Sequence, residues 1–502
     1  MTQSEKISID IIATSDMHSY FLNGQHGSNI YRAGTYVKQM REQGKEVLLL
    51  DSGGSLAGSL AAFYYAVVAP YKRHPMIKLM NAMSYDASGI SPNEFKFGLS
   101  FFSRAVSLSR FPWLSANIEY RQTREPYFST PYTIKEIGGI KLAIVGLTSD
   151  GLMDREYFEM EQDVAIEKTL LSAKRWIRYI HEVEAPDFLI VIYHGGINQL
   201  NKSSNEREQN VNEAEKIMQE VGVIDLLITG HQHQTFIGKD DQTVYVQAGQ
   251  NAKNLIHILV DFKKRTSSFE LEDITSEIID LNDYEEDEAL LTETYYDRKA
   301  VEYWSEEIIS AQDVDAKVNG LEDVITKPHP FTQLLHDSIR LVYDFDISCV
   351  HLPKSGEEGL SGQVANVDLY NAYPHPDIPI NLTLKGQQIK DMLEYSYSHI
   401  EFTNGTLSVT IIDETLCTFW QGIDYEVDMT ADPFNRVTLH NINLEHMYRV
   451  SMTDYCYRNF RQYLENTVVH GTKNVTMNDL IARNLKDHNY AIQDKQSFKV
   501  KM

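Results

Sequence analysis

Asp16, His18, His194, His231 and His233 stand where apolar runs end. Asp16-Met17-His18 closes the first β-branched run, His194-Gly195-Gly196 closes a run over 188–193, and Gly230-His231-Gln232-His233 closes another over 225–229. Adjacent strand tips in a parallel sheet are neighbours in space, so these turns can converge on one cation although the chain between them is long. Imidazole with carboxylate is the ligand mixture of zinc, manganese, iron or nickel rather than calcium. A lone loop histidine is ordinarily held by a backbone carbonyl; several hydrophobic strands each ending in such a residue point to a shared ion.

To bring these turns together, 7–262 must alternate strands and helices. Strands are predicted at 7–14, 47–50, 142–145, 188–193, 226–229 and 244–247, with 255–262 closing the segment, while 166–182 and 211–221 have helical spacing. This is an α/β arrangement with a central sheet and its site at strand C-terminal ends. An acidic stretch over 283–318, poor in Gly and Pro, predicts a connecting helix. After Pro330 the pattern becomes a helix (331–343), scattered strands and a further helix (387–396), an α+β domain. The expected divisions are 1–282, a linker helix region 283–326, and 327–502.

The chain has 502 residues, room for two or more domains. Its 42% apolar and 23% charged fractions are those of a soluble globular protein. A net charge of -25 argues against nucleic-acid polymers and anionic membranes as partners. An anionic small substrate stays open, because a bound dication reverses the local potential. No apolar run reaches membrane-spanning length, and Met1 to Lys6 leads straight into the first strand, so a cytoplasmic protein is expected. Cys349, Cys417 and Cys456, widely spaced in apolar or aromatic surroundings, read as buried free thiols. Nothing in the sequence specifies a protein partner.

Taken in order, Thr14-Ser15-Asp16-Met17-His18, Leu50-Asp51-Ser52-Gly53, Ser115-Ala116-Asn117, Tyr193-His194-Gly195 and Thr229-Gly230-His231-Gln232-His233 resemble the motifs of the 5'-nucleotidase family. These are calcineurin-like metallophosphoesterases that include 2',3'-cyclic-nucleotide phosphodiesterases. The resemblance covers nearly the whole chain. It implies a metal-bearing N-terminal domain of β-sheet layers flanked by helices, a joining helix, and a C-terminal domain that holds the nucleotide. It also implies hydrolysis of nucleotides or small phosphoesters with a divalent transition metal. In the C-terminal domain it implies substrate binding at Arg340, at His375 in place of a base-stacking Phe, and at Tyr455 in place of the opposing ring.

The departures are specific. Where the family reads D-x-G-D, its second aspartate bridging two ions, this chain reads Asp51-Ser52-Gly53-Gly54. Where the family reads G-N-H-E-F-D, this chain reads Ser91-Pro92-Asn93-Glu94-Phe95-Lys96, so Asn93 stands for the catalytic histidine. The family's N-x-G-G-I-R becomes His351-Leu352-Pro353-Lys354-Ser355-Gly356. Two dications about 4 Å apart repel by on the order of 16 kcal/mol at an effective dielectric of about 20, and Gly54 has no carboxylate to offset it. The expectation is one ion at Asp16, His18 and His233, with His194 and His231 marking a weakened second position. Asp51 and Glu94 are the nearest carboxylates able to compensate. Activity should be reduced or altered. The alternatives are an inactive member serving as a metal- or nucleotide-binding or interaction module, and a changed chemistry at a one-metal site.

Overall fold

The computed structural model describes residues 6–22, 29–128, 130–153, 163–198, 211–240, 242–265, 268–352, 359–403, 406–409, 418–465, 467–487 and 497–501. Cys417, Lys354 and Gly356 lie outside these residues. The chain divides into two units, 1–301 and 302–502. No helix among the described residues is long and apolar enough to cross a membrane.

The first unit is built on two six-stranded sheets. One runs in the order Phe269–Asp280, Asn254–Lys264, Lys6–Thr14, Val47–Asp51, Ala87–Gly89, Trp113–Leu114; the other runs Thr235–Lys239, Val244–Ala248, Leu226–Thr229, Phe188–His194, Ile140–Thr148, Tyr132–Ile137. Alternation along the strands explains why the sheets pack face to face. Ile9, Ile11, Leu48 and Leu50 of the first meet Ile144, Ile190, Ile192 and Ile228 of the second in one core. The opposite face of the second sheet, with Val145, Leu189 and Val191, packs on Ile177 and Ile217 from the helices Thr169–Tyr179 and Ala214–Glu220.

The parallel registers locate the site. Thr14 pairs with Asp51 in one sheet, and Tyr193 with Thr229 in the other. The turns after Thr14 and Asp51 therefore emerge side by side, as do those after Tyr193 and Thr229. Asp16 N–H donates to the Gly53 carbonyl at 2.9 Å and Gly230 N–H to the Gly195 carbonyl at 3.3 Å, tying each pair of turns together.

The second unit holds a five-stranded sheet ordered Thr418–Gln421, Ile347–His351, Met447–Thr453, Pro379–Lys385, Val468–Thr472, with a three-stranded sheet of Val437–Leu439, Asp424–Asp428 and Ser497–Lys501. Its helix Pro330–Arg340 begins with proline at its first turn, and His329 Nδ1 accepts the Phe331 N–H.

The expected connecting helix is corrected. Helices Glu288–Glu293 and Tyr295–Glu306 are followed by a strand, Ile308–Lys317, antiparallel to Gly359–Ala365. Ile309, Val314 and Ala316 are buried in the core of the second unit, and that tertiary pairing overrides the helix-permissive composition. Nor is there a separate linker. Leu290 is buried against Gly34, and Asp297 pairs with Lys78 at 2.6 Å, so this stretch belongs to the first unit up to residue 301.

Candidate metal centre

Among the described residues, one group of three or more His, Cys, Asp or Glu has donor atoms all within 4.8 Å of one another: Asp16, His18 and His233. Asp16 is 1% exposed. Its Oδ2 accepts hydrogen bonds from Ser15 Oγ and from the His231 N–H at 3.0 Å. Its Oδ1 is buried with no hydrogen-bond partner. Around that bare oxygen stand the Nε2 atoms of His18 at 3.8 Å, His194 at 3.8 Å and His233 at 3.6 Å.

An unpaired buried carboxylate oxygen carries a desolvation cost, and three nitrogens aimed at it leave a gap of the right chemistry for a cation. The outer nitrogens support this fit. His18 Nδ1 donates to Asn251 Oδ1 at 3.1 Å, and His194 Nδ1 to the Ser52 carbonyl at 2.9 Å, which leaves both Nε2 atoms as acceptors. Burial holds the His18 imidazole below its ordinary value, the neutral form that a metal needs. Burial raises the Asp16 carboxyl, but the surrounding imidazoles, His194 foremost with His233 and His18, outweigh it and hold Asp16 well below the usual carboxylate range. His18 is buried and His233 exposed, so the cluster is closed on one side and open on the other.

Asp16, His18, His231 and His233 all adopt left-handed backbone, with φ of 48°, 49°, 74° and 58°. Each such non-glycine residue costs about 1–2 kcal/mol. The surrounding turns enforce it, through the Asp16 N–H to Gly53 O and the His18 N–H to Gly54 O at 2.8 Å. Left-handed non-glycine residues of this kind cluster at functional sites.

His194 and His231, expected to mark a weakened second position, lie beside the same carboxylate. The Ser52 carbonyl turns the His194 ring so that Nε2 faces the same Asp16 oxygen as the other two imidazoles. His231 serves Asp16 through its backbone N–H, its ring centroid 6.2 Å from that of His194. Neither compensating carboxylate is free. Asp51 accepts from Thr14, Gly53, Ser55 and Ser88, and Glu94 from the N–H groups of Gly54, Ser55, Leu56 and Ser91. Asn117 bridges to the Thr148 backbone, a structural task. Asn251, which orients His18, lies in none of the motifs read from the sequence, and Ser52, inside one of them, orients His194 through a backbone carbonyl that its residue type does not signal.

In the second unit, His375 and Tyr455 come together, ring centroids 6.1 Å apart, with His351 stacked on Tyr455 at 4.2 Å. Arg340 is the third residue expected there. It ends its helix exposed, with its guanidinium 4.0 Å over the Phe345 ring.

Residues 311–465 match the 5'-nucleotidase C-terminal domain family. The nucleotide phosphoesterase YfkN of Bacillus subtilis, named trifunctional, is 27% identical over 253 residues, 46% of this chain and 17% of that protein. A 2',3'-cyclic-nucleotide 2'-phosphodiesterase/3'-nucleotidase of Haemophilus influenzae is 25% identical over 47% of this chain and 37% of its own. This chain is related to the 5'-nucleotidases. The matches span well under two thirds of these relatives' own lengths. The fold is shared across the whole chain. A Staphylococcus aureus protein described as a 5'-nucleotidase superposes with a TM-score of 0.81 over 99% of this chain at 21% identity. A 5'-nucleotidase precursor of Thermus thermophilus superposes with 0.63 over 99% at 18%. Gly54 lies directly against Asp16: its carbonyl accepts the His18 N–H, and a Cβ on it would stand 2.7 Å from Asp16 Oδ1.

Proposed function

We propose that the chain is a metal-dependent hydrolase of nucleotides or related small phosphoesters, working with one divalent transition ion at Asp16, His18 and His233, with His194 beside them. The supporting observation is Asp16 Oδ1, buried, unpaired and ringed by imidazole nitrogens. The names of the relatives point to the same reaction class. A divalent ion supplies Lewis-acid polarisation of a phosphoryl oxygen and acidifies water. Asp16 brings the negative charge that offsets the ion, and Ser15 and the His231 N–H keep its other oxygen occupied. The exposed edge of His233 is the side from which a phosphoester enters. Asn93 cannot take up or release a proton near neutrality, so the leaving oxygen is protonated by solvent. Loss of a positioned general acid costs roughly 10²–10⁴-fold, and slow turnover is expected.

Metal analysis of purified protein, together with phosphate release from mononucleotides, cyclic nucleotides and a chromogenic phosphoester in Mn2+, tests this reading. One ion per chain and a slow rate, both lost in Asp16→Asn, are expected. A rate that survives Asp16→Asn, or a chain that takes up no ion, overturns it. The joint replacement at Gly54 and Asn93 favours a second reading, an ion- or nucleotide-binding member without turnover. That reading predicts a bound ion and no phosphate release.

A further inference from the structure

Two hydroxyls stand behind the Asp16 carboxylate, at the oxygen opposite the bare one. Ser15 is 2% exposed and Ser52 fully buried. Ser52 Oγ donates to Ser15 Oγ at 2.6 Å, and Ser15 Oγ donates to Asp16 Oδ2. The direction of this chain is forced. An ionised carboxylate only accepts, so the Ser15 proton goes to Asp16, and the proton shared between the two serines is that of Ser52. The His231 N–H is a second donor to the same oxygen, at 3.0 Å. Oδ2 is thus doubly occupied, while Oδ1 faces the Nε2 atoms of His18, His194 and His233.

The backbone of Ser52 reaches a further ligand. Its carbonyl accepts the His194 Nδ1–H at 2.9 Å, and its N–H donates to the Thr14 carbonyl at 3.0 Å, so one residue ties together the turns that carry Asp16 and His194. Gly230 closes the remaining side. A Cβ on it would stand 2.7 Å from Ser52 Oγ, 2.8 Å from Ser15 Oγ and 3.1 Å from Asp16 Oδ2. Its N–H is held by the Gly195 carbonyl and its own carbonyl by Gln247 Nε2 at 3.1 Å, which keeps the turn from retreating. Gly230 is not among the glycines with positive φ, so the residue type answers to the space that the hydroxyls fill.

We propose that Ser15 and Ser52 are positioning residues for the ion: their hydroxyl chain commits Asp16 to bind through Oδ1 alone, and the Ser52 carbonyl turns His194 toward the same point. A carboxylate that swung round to offer both oxygens would break two hydrogen bonds in a buried place and leave their donors unpaired. Bonds in series also strengthen one another, so the Ser52 hydroxyl acts on Asp16 without touching it. Binding through one oxygen keeps the coordination number low and leaves a place on the ion for a phosphoester oxygen. The role rests on the one-ion reading of the site and needs no turnover.

Titration of the full chain with Co2+, followed by visible absorption, tests this, because the spectrum reports affinity and coordination number together. Ser15→Ala should weaken Co2+ binding about 10–100-fold, the effect of losing an outer partner of a ligand. It should also dim the visible band, since a carboxylate free to use both oxygens raises the coordination number; a loss of stability alone would not. Ser52→Ala keeps the carbonyl that orients His194 and should weaken binding at least about threefold. The double variant should bind within about twofold of Ser15→Ala, because the Ser52 hydroxyl acts through Ser15. Gly230→Ala, which pushes both hydroxyls aside, should reproduce the dimmed band. Should Ser15→Ala not fold, Ser52→Ala and Gly230→Ala carry the same readout. A folded Ser15→Ala or Ser52→Ala chain with the original affinity and band, or losses that multiply in the double variant, overturns the proposal. An unsubstituted chain that takes up no Co2+ overturns it together with the hydrolase reading. Serine-dependent Co2+ binding without phosphate release removes the hydrolase reading and upholds the positioning role.

Discussion

At Gly54 a Cβ would stand 2.7 Å from Oδ1 of Asp16 and 3.1 Å from its Cα, on a backbone with φ of +81°. An aspartate there drives a side chain into Asp16, a ligand of the proposed ion. Gly54→Asp is expected to lower the unfolding free energy by about 1–3 kcal/mol and to reduce ion uptake. Urea unfolding and metal stoichiometry check this, and two ions per chain in the variant would reject it. Asp51 carries a pH prediction. It is wholly buried, and burial pushes its carboxyl from 3.8 up to about 7 despite the bonds from Thr14, Gly53 and Ser55. The folded state therefore keeps a proton that the unfolded state has released in the window between those values. Its contribution is fully present below the unfolded value and is lost as pH rises to the folded one, at up to about 1.4 kcal/mol per pH unit. Asp51→Asn should flatten that slope in urea melts across the window. An unchanged slope would place the proton elsewhere.

The short 3-10 helix Pro92–Phe95 acts as a clamp on the turn that follows Asp51. Ser91 caps it, and Glu94 spends both oxygens on four backbone N–H groups, at 2.8 Å for Ser91, 3.2 Å for Gly54, 2.7 Å for Ser55 and 3.3 Å for Leu56. The same turn offers the Gly53 and Gly54 carbonyls to Asp16 and His18. Glu94→Ala leaves those donors buried and unpaired, so a loss of about 3–5 kcal/mol is expected, with ion affinity falling alongside. Glu94→Gln keeps an acceptor and should lose less. Thermal unfolding of the two variants decides, and equal stability would show that the clamp is dispensable. Glu94 and Phe95 were legible as the marker of a family motif, but the task of Glu94 was not, because three of its four partners lie 38 to 40 residues earlier in sequence.

All the proposed ligands lie in the first of two units, so chelation should lower one unfolding transition and leave the other in place. Calorimetry with and without chelator tests this; at an ion concentration about 100 times Kd the first transition should gain about 2.7 kcal/mol. Movement of both transitions would contradict it. Local pattern alone determined much of this molecule: short, continuous apolar runs, the mark of strands buried on both faces, placed Asp16, His18, His194 and His233 at or just past strand ends. The strand Ile308–Lys317 was not readable, since its partner at 359–365 supplies the ladder that its own composition does not request. The bare Asp16 oxygen, the room denied at Gly54 and the hydroxyl chain from Ser52 through Ser15 to Asp16 were decided only by tertiary structure. Each depends on distances between segments remote in the chain, which no local periodicity encodes.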